Sequence, residues 1–384
     1  MIRSVGVALV VWLMASAAVG AEDALFDPHP ITGVPVRVPG RVLVDPAARR
    51  AELATLPPAF AREVCGIDAF TIKPPEAAKH PLQTLFGGVV YETTVDTRTD
   101  PLTLYLMRAA GIALVEPARS TPAITSVLGA WARADALTRY HGDDFSAMNN
   151  ALYSGNRAAL PILVTAGLVH EADGRDTLEA WLGRVVARLW VEPGALSSQQ
   201  NHRVIRDSVH MAYGALVGNP VEFAMGFEGF ARALRTARPD GALRFEIIRG
   251  ARALFYQNFT IASLVTMAEI GAAQGYDLYG FQTESAVDLH RVIGFLLRGI
   301  ADPSLVLPAA LENAFVSADS DPRQQDLAFL NPQRGGARNY MAWVEPYLRR
   351  FPDHPNTMAL VRYVVRPMLD ERSGANMSCL FARP

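Results

Sequence analysis

Residues 201–235 read NHRVIRDSVHMAYGALVGNPVEFAMGFEGFARALR. Apolar side chains recur there at helical spacing through His202 to Leu216 and again through Val221 to Leu234, with a short turn between the two runs. Each run places its apolar residues on one face of a helix. So short a connection turns the second helix back along the first. The same pattern extends in both directions. Upstream it covers Leu102 to Leu114, Ile124 to Leu137 and Leu178 to Trp190. Downstream it covers Leu243 to Phe255, Ile261 to Ala273, Ala286 to Ile300, Tyr340 to Phe351 and Met358 to Leu369. Strand-like runs such as Gly88 to Val95 are few. The reading is all-α, built from antiparallel helical hairpins, and stacked hairpins give either a solenoid or a closed α/α toroid. No fixed-period repeat chooses between them.

Before Pro101 the chain changes character. Met1-Ile2-Arg3, the apolar stretch Val5 to Val19, and Gly20-Ala21 ahead of Glu22-Asp23 have the layout of a secretory signal peptide, with cleavage expected after Ala21. From Asp23 to about Pro58, proline and valine occur without helical period, so an irregular N-terminal arm is expected. Lys73-Pro74-Pro75 prolongs the loop character. The expected organisation is a signal peptide over 1–21, an arm with a lid-like loop over 22–100, and a helical domain over 101–384. A cleaved signal implies export, here to the periplasm, with no membrane attachment afterwards.

Half of the 384 residues are hydrophobic, enough for a large core, and the formal net charge is only −2. That balance leaves no global field for gripping nucleic acid, so a polyanionic partner needs a local basic cleft. Nearly all cationic residues are arginines, the exceptions being Lys73 and Lys79. Cys65 and Cys379 sit near opposite ends of the mature chain and can form a bridge if the fold brings them together. No zinc or haem spacing, phosphate loop or nucleophile elbow occurs, and no metal or cofactor is expected. The oligomeric state stays open, a monomer among the options.

Three stretches could carry chemistry. The first is Ser197 to His202, a polar run at the mouth of a helix, where Asn201 and His202 can meet a carboxylate or a mobile proton; capping alone would also explain them. The second is Arg249 to Asn258, in which Arg249 and Tyr256 are seven apart, hence on one face of an uninterrupted helix, with Arg252 beside the stripe. An arginine there could neutralise a carboxylate while the phenol handles a proton. A solvated arginine face over a core tyrosine is the plainer alternative. The third is Arg372 to Asn376, a turn presenting an arginine near the chain end, together with Asn339-Tyr340 and Trp343 at an earlier helix. Any of these could bind sugar.

Taken in order, Phe70-Thr71-x-Lys73, Ala130 to Leu137, Asn201-His202, Glu246 to Asn258 written E-x-x-R-x-x-R-A-L-x-Y-x-N, and Tyr340-x-x-Trp343-x-Glu345-Pro346-Tyr347 resemble the periplasmic mannuronate-specific alginate lyases. The resemblance runs from about Phe70 to the end. It implies an incomplete (α/α) toroid with a cleft, no metal, and β-elimination at the 1→4 bonds of an anionic polysaccharide. By the same resemblance Asn201, His202, Arg249 and Tyr256 are catalytic. The resemblance also puts Lys73 and Arg372 at substrate-binding positions, and Arg252, Asn258, Tyr340 and Trp343 are expected to bind substrate alongside them. The chain departs from the family pattern after the histidine, where Val204, Ile205 and Ser208 replace aromatic residues, and again at Gln257 and Phe259. Loss of sugar stacking is expected there, which keeps a glucuronate-containing polymer as an alternative substrate.

Elimination across C4 and C5 of a uronate requires its carboxylate to be neutralised. Arg249 and Asn201 are expected in that role. Tyr256 is expected to protonate the leaving oxygen, and His202 or Tyr256 to take the C5 proton. Two rivals remain: a non-catalytic polysaccharide-binding or secretion protein, and a helical glycoside hydrolase, which would need two opposed carboxylates.

Overall fold

A computed structural model describes residues 32–88, 95–169, 174–189, 200–312, 321–332 and 338–384. The expected signal peptide, and all but the ends of the run Gly88 to Val95, lie outside those residues.

The expected irregular arm contains two helices, α1 (Pro46–Thr55) and α2 (Pro58–Cys65). Their prolines, which suggest loop, stand in the first turn, where the missing N–H costs nothing. Asp45 caps α1 by accepting from the backbone N–H groups of Ala47 and Ala48.

The body follows as α3 (Asp100–Val115), α4 (Pro117–Arg133), α5 (Phe145–Leu168), α6 (Arg175–Leu189), α7 (Asn201–Val217), α8 (Pro220–Arg235), α9 (Arg244–Ile247), α10 (Ala253–Ala273) and α11 (Leu289–Ala301). Helices α3, α5, α7 and α10 are buried on nearly every side, whereas α4, α6, α8 and α11 bury a single stripe. An all-round apolar helix belongs inside and a one-sided one outside. The contacts agree: α7 packs on α8, α5 and α10, α3 on α4 and α5, and α10 on α11. The hairpins thus form an inner and an outer layer, the incomplete (α/α) toroid. Large side chains such as Phe223, Phe230 and Trp181 are sealed between the layers. Each contributes about 1.5–3 kcal/mol by leaving water.

Two boundaries differ from expectation near the site. The helices expected at Leu243 to Phe255 and Ile261 to Ala273 are instead the short α9 and the long α10, separated by a 3-10 turn over Gly250–Arg252. Gly250 takes φ +56° there, a left-handed conformation that breaks the helix and that glycine adopts without a Cβ penalty. The second difference is at the C-terminus. After α12 (Leu307–Ala310), α13 (Val344–Arg350) and α14 (Pro355–Leu360), the segment expected to stay helical to Leu369 ends in a strand.

The strands are short. β1 (Thr84–Phe86) pairs in parallel with β2 (Arg139–His141). β3 (Leu369–Asp370) pairs antiparallel with β4 (Ala375–Asn376), Leu369 opposite Asn376 and Asp370 opposite Ala375. Gly374 closes that hairpin at φ +75°. The last helix, α15 (Met377–Phe381), carries Cys379, which is disulfide-bonded to Cys65 at the end of α2, a separation of 314 residues. Asn376 adds a hydrogen bond from Nδ2 to the Val64 carbonyl oxygen at 3.0 Å. Arm and C-terminal hairpin are therefore tied together, and that hairpin carries Arg372.

Candidate active site

The site begins where α7 begins. Gln200 and Asn201 are both buried at the helix entrance, and their side-chain oxygens accept from Arg249 Nη1 at 3.3 and 3.2 Å. Arg249 reaches them because the chain turns at Gly250. The same turn lays its guanidinium over the Tyr256 ring, 3.4 Å from the centroid. The two residues meet, but across a break and not along one helix face. With its Oδ1 committed to Arg249, Asn201 keeps Nδ2 without a partner among the described residues.

Glu246, on α9, holds this arrangement from behind. Its carboxylate receives the Thr260 hydroxyl at 2.8 Å, lies 3.6 Å from Arg249 Nη1, and accepts the Asn201 backbone N–H. A carboxylate at a helix N-terminus also complements the helix dipole. Burial nonetheless dominates, pushing the Glu246 pKa up to about 6 against the opposing effects of Arg249, Thr260 and Asn201.

His202, next along α7, faces a different set of groups. Its Nδ1 lies 3.0 Å from Asn149 Nδ2, and its ring stacks on Tyr153 at 3.9 Å with 6° between planes. Both partners come from α5. Burial first, and then the positive charges of Arg249 and Arg372, push the His202 pKa down to about 3, so the imidazole is neutral near pH 7.

Arg372 closes the far side. It donates from Nη2 to the Tyr153 hydroxyl at 2.8 Å and stacks over the Phe259 ring at 3.4 Å. Behind it Glu371 accepts a hydrogen bond from Arg157 at 2.5 Å and forms an ion pair with Arg338 at 2.8 Å. Burial would raise the Glu371 pKa, but Arg157, Arg338 and Arg372 hold the carboxyl ionised, down at about 2. A buried charge network of this kind is costly unless paired throughout, and pairing fixes its geometry. Arg372 is thereby held in place.

The remaining expected residues divide. Tyr340 is half-buried, its ring 5.1 Å from Phe259 and 5.4 Å from the Arg372 guanidinium carbon. Asn258 and Trp343 are fully buried. Asn258 Oδ1 accepts the Trp343 indole N–H at 2.9 Å and its Nδ2 donates to the Tyr340 carbonyl oxygen at 2.9 Å. Those two therefore brace Tyr340 from inside and present no surface to a sugar, because their polar atoms are already spent on the wall. Arg252 lies 3.7 Å from Asp326 and beside Phe255. Lys73 stands exposed, its N–H on Thr71 Oγ1, and among the described residues it makes no hydrogen bond or ion pair with the cluster.

The departures after His202 also look different in three dimensions. Val204, Ile205 and Ser208 are buried in the core of α7. The expected loss of stacking surface therefore does not fall at these positions. Gln257 is a strut, accepting the Leu243 N–H and donating to the Gly241 carbonyl oxygen. Phe259 is the platform under Arg372.

Comparison with known proteins bears on this cluster. The family model described as alginate lyase matches residues 129–306, which include Asn201, His202, Arg249 and Tyr256. An alginate lyase of Azotobacter chroococcum is 29% identical over 236 residues, covering 60% of this chain and 58% of that protein. Over residues 129–306 the chain is similar to the alginate lyase family. A polysaccharide lyase of Stenotrophomonas maltophilia is 26% identical over 236 residues, covering 59% of this chain and 62% of that protein. The chain thus spans about three-fifths of the curated relatives it matches. The fold extends further than the sequence match. Alginate lyase A1-III from Sphingomonas species A1 superposes with a TM-score of 0.70 at 22% identity, covering 93% of this chain and all of that one. A form of the same enzyme complexed with tetrasaccharide gives 0.73. The incomplete toroid read from the motifs is the family's fold, and Arg372 lies beyond the stretch that the family model matches.

Proposed function

We infer that the protein is a polysaccharide lyase that cleaves a 1→4-linked uronic-acid polymer, polymannuronate first among the candidates, by β-elimination. The observation that carries this is that Arg249 bonds Asn201, lies over the Tyr256 ring and, with Arg372, acts on a neutral His202. The elimination fails in water because removing the C5 proton piles charge on a carbanion already next to a carboxylate. Here Arg249 and the unspent Asn201 amide are preorganised to meet that carboxylate, and His202 and Arg372 supply further donors. No solvent need be reordered as the charge develops.

Tyr256 is the group assigned to both proton transfers. A ring whose conjugate acid has a pKa of about 3 takes a carbon-bound proton poorly, which argues against His202 as base. As phenolate, Tyr256 removes the C5 hydrogen. The C5–H electron pair becomes the C4=C5 double bond, the C4–O bond breaks, and the departing oxygen takes the proton from the phenol. In mannuronate and glucuronate the hydrogen and the leaving oxygen share a face, so one phenol can serve both. Action in the periplasm, after removal of residues 1–21, belongs to the same proposal.

Incubation with polymannuronate, polyguluronate, glucuronan and pectate, followed by ultraviolet absorbance, tests the reading. Conjugated unsaturated ends are expected with polymannuronate, and Tyr256→Phe is expected to remove them while leaving the circular dichroism unchanged. Saturated ends would point to hydrolysis, and retention of polymer without any cleavage to a binding protein. Either result would overturn the assignment.

A further inference from the structure

We propose that Asn149 is a positioning residue that fixes His202 in the tautomer with the proton on Nε2, so that the imidazole meets the substrate as a hydrogen-bond donor. This rests on the lyase reading above for what His202 does, but not for which nitrogen carries its proton.

The geometry supplies the argument. Asn149 Nδ2 lies 3.0 Å from His202 Nδ1. An amide nitrogen has hydrogens and no acceptor lone pair, so Nδ1 must be the bare, accepting nitrogen. A neutral imidazole then carries its single proton on Nε2, the atom on the other side of the ring. The face-to-face Tyr153 ring prevents the imidazole from tipping away, and Tyr153 is itself held by Arg372. The charged groups acting on the ring are Arg249, ahead of α10, and Arg372, on the C-terminal hairpin. Tyr153, also titratable, faces it from α5. No carboxylate among the described residues hydrogen bonds to it. With two cations acting on the ring and no carboxylate bonded to it among the described residues, the ring stays neutral, and a neutral ring offers one donor. Which nitrogen holds that donor is decided by Asn149. In the opposite tautomer Nε2 would turn a lone pair toward a uronate carboxylate and repel it.

Nuclear magnetic resonance of the full protein labelled with nitrogen-15 histidine reads the tautomer directly, with His202 assigned by its loss in His202→Gln. Wild type is expected to show Nε2 protonated, Nδ1 bare, and no titration between about pH 5.5 and 8. In Asn149→Asp a carboxylate replaces the donor. The proton then moves to Nδ1 and the His202 pKa rises by more than a unit. Above that new pKa, Nε2 is bare, so cleavage of the polymer should fall at least tenfold as the pH rises through it. The wild-type profile should show no such fall. A merely structural role would lower activity evenly across pH. A wild-type His202 protonated on Nδ1, or one titrating near neutrality, overturns the proposal even if Asn149→Asp does not fold. Parallel pH profiles also overturn it. If the tautomer is as stated but no uronate polymer is cleaved, the lyase reading fails and the positioning by Asn149 stands.

Discussion

Replacing Glu246 by Gln should strengthen the fold and weaken catalysis, with the two effects separable by pH. Glu246 is 2% exposed, and burial lifts its pKa from 4.5 to about 6 in spite of Arg249, Thr260 and the Asn201 N–H. The folded state therefore holds this proton more tightly than the unfolded chain does. The stability it contributes is fully present below about pH 4.5 and is lost as the pH rises through about 6. At about 1.4 kcal/mol per pKa unit, the ionised carboxylate costs the folded protein about 2 kcal/mol in alkaline solution. Roughly 1 kcal/mol of that develops between about pH 5 and about pH 8. Glutamine has no charge to bury. Urea unfolding of both proteins at the two pH values should show the variant gaining about 1 kcal/mol on the wild type. Over the same range the carboxylate is what draws Arg249 and Asn201 into register, and charge-assisted hydrogen bonds are worth about 1.5–3 kcal/mol. Turnover of the variant should fall roughly ten- to a hundredfold at the alkaline pH. A stability difference that does not change with pH, or a variant with full turnover, would refute the reasoning.

Further outcomes follow from the tie between the chain ends. Cys65→Ser with Cys379→Ser, followed by denaturant unfolding, should cost about 2–5 kcal/mol, because the bridge closes a very long loop. The same variant should lose turnover before it loses helicity, since the bridge anchors the hairpin that carries Arg372. Gly374→Ala should cost at least about 1–2 kcal/mol through its left-handed backbone. A Cβ there would stand 2.8 Å from Val164 Cγ2, so the hairpin must shift off α5. Thermal melts against wild type measure this, and an unchanged midpoint would contradict it.

Much of the toroid is legible in the sequence because its outer helices carry one-sided apolar stripes, as in α8 and α11. The inner helix α5 is not, for the opposite reason. It is buried from Ala151 to Leu168 on every side, carries Pro161 within it, and is interrupted in sequence by Asn149, Asn150, Ser154, Asn156 and Arg157. No amphipathic period survives in such a helix, and its polar residues read as loop. The available clue was spacing: Asn149, Tyr153 and Arg157 stand four apart, which puts all three on one stripe. That stripe meets His202, Arg372 and Glu371 in turn.

The same distinction explains which site residues sequence reasoning reached. Asn201 and His202 are visible because a helix entrance is encoded locally, by a polar run ahead of an apolar period. Sequence spacing pairs Arg249 and Tyr256 along a helix that in fact breaks between them. They meet anyway because the turn at Gly250 folds the guanidinium back onto the ring. Asn258 and Trp343 look like ligands in one dimension because both can hydrogen bond, yet in three dimensions they spend that capacity on each other and on Tyr340. Glu246 and Asn149 carry no local signal in sequence because their roles exist only across packed elements, one against the start of α7 and one reaching to it from α5. The chain thus specifies its chemical groups locally and their protonation non-locally. A substitution that leaves every motif in place, at Asn149 or Glu246, should still change how the site handles a proton.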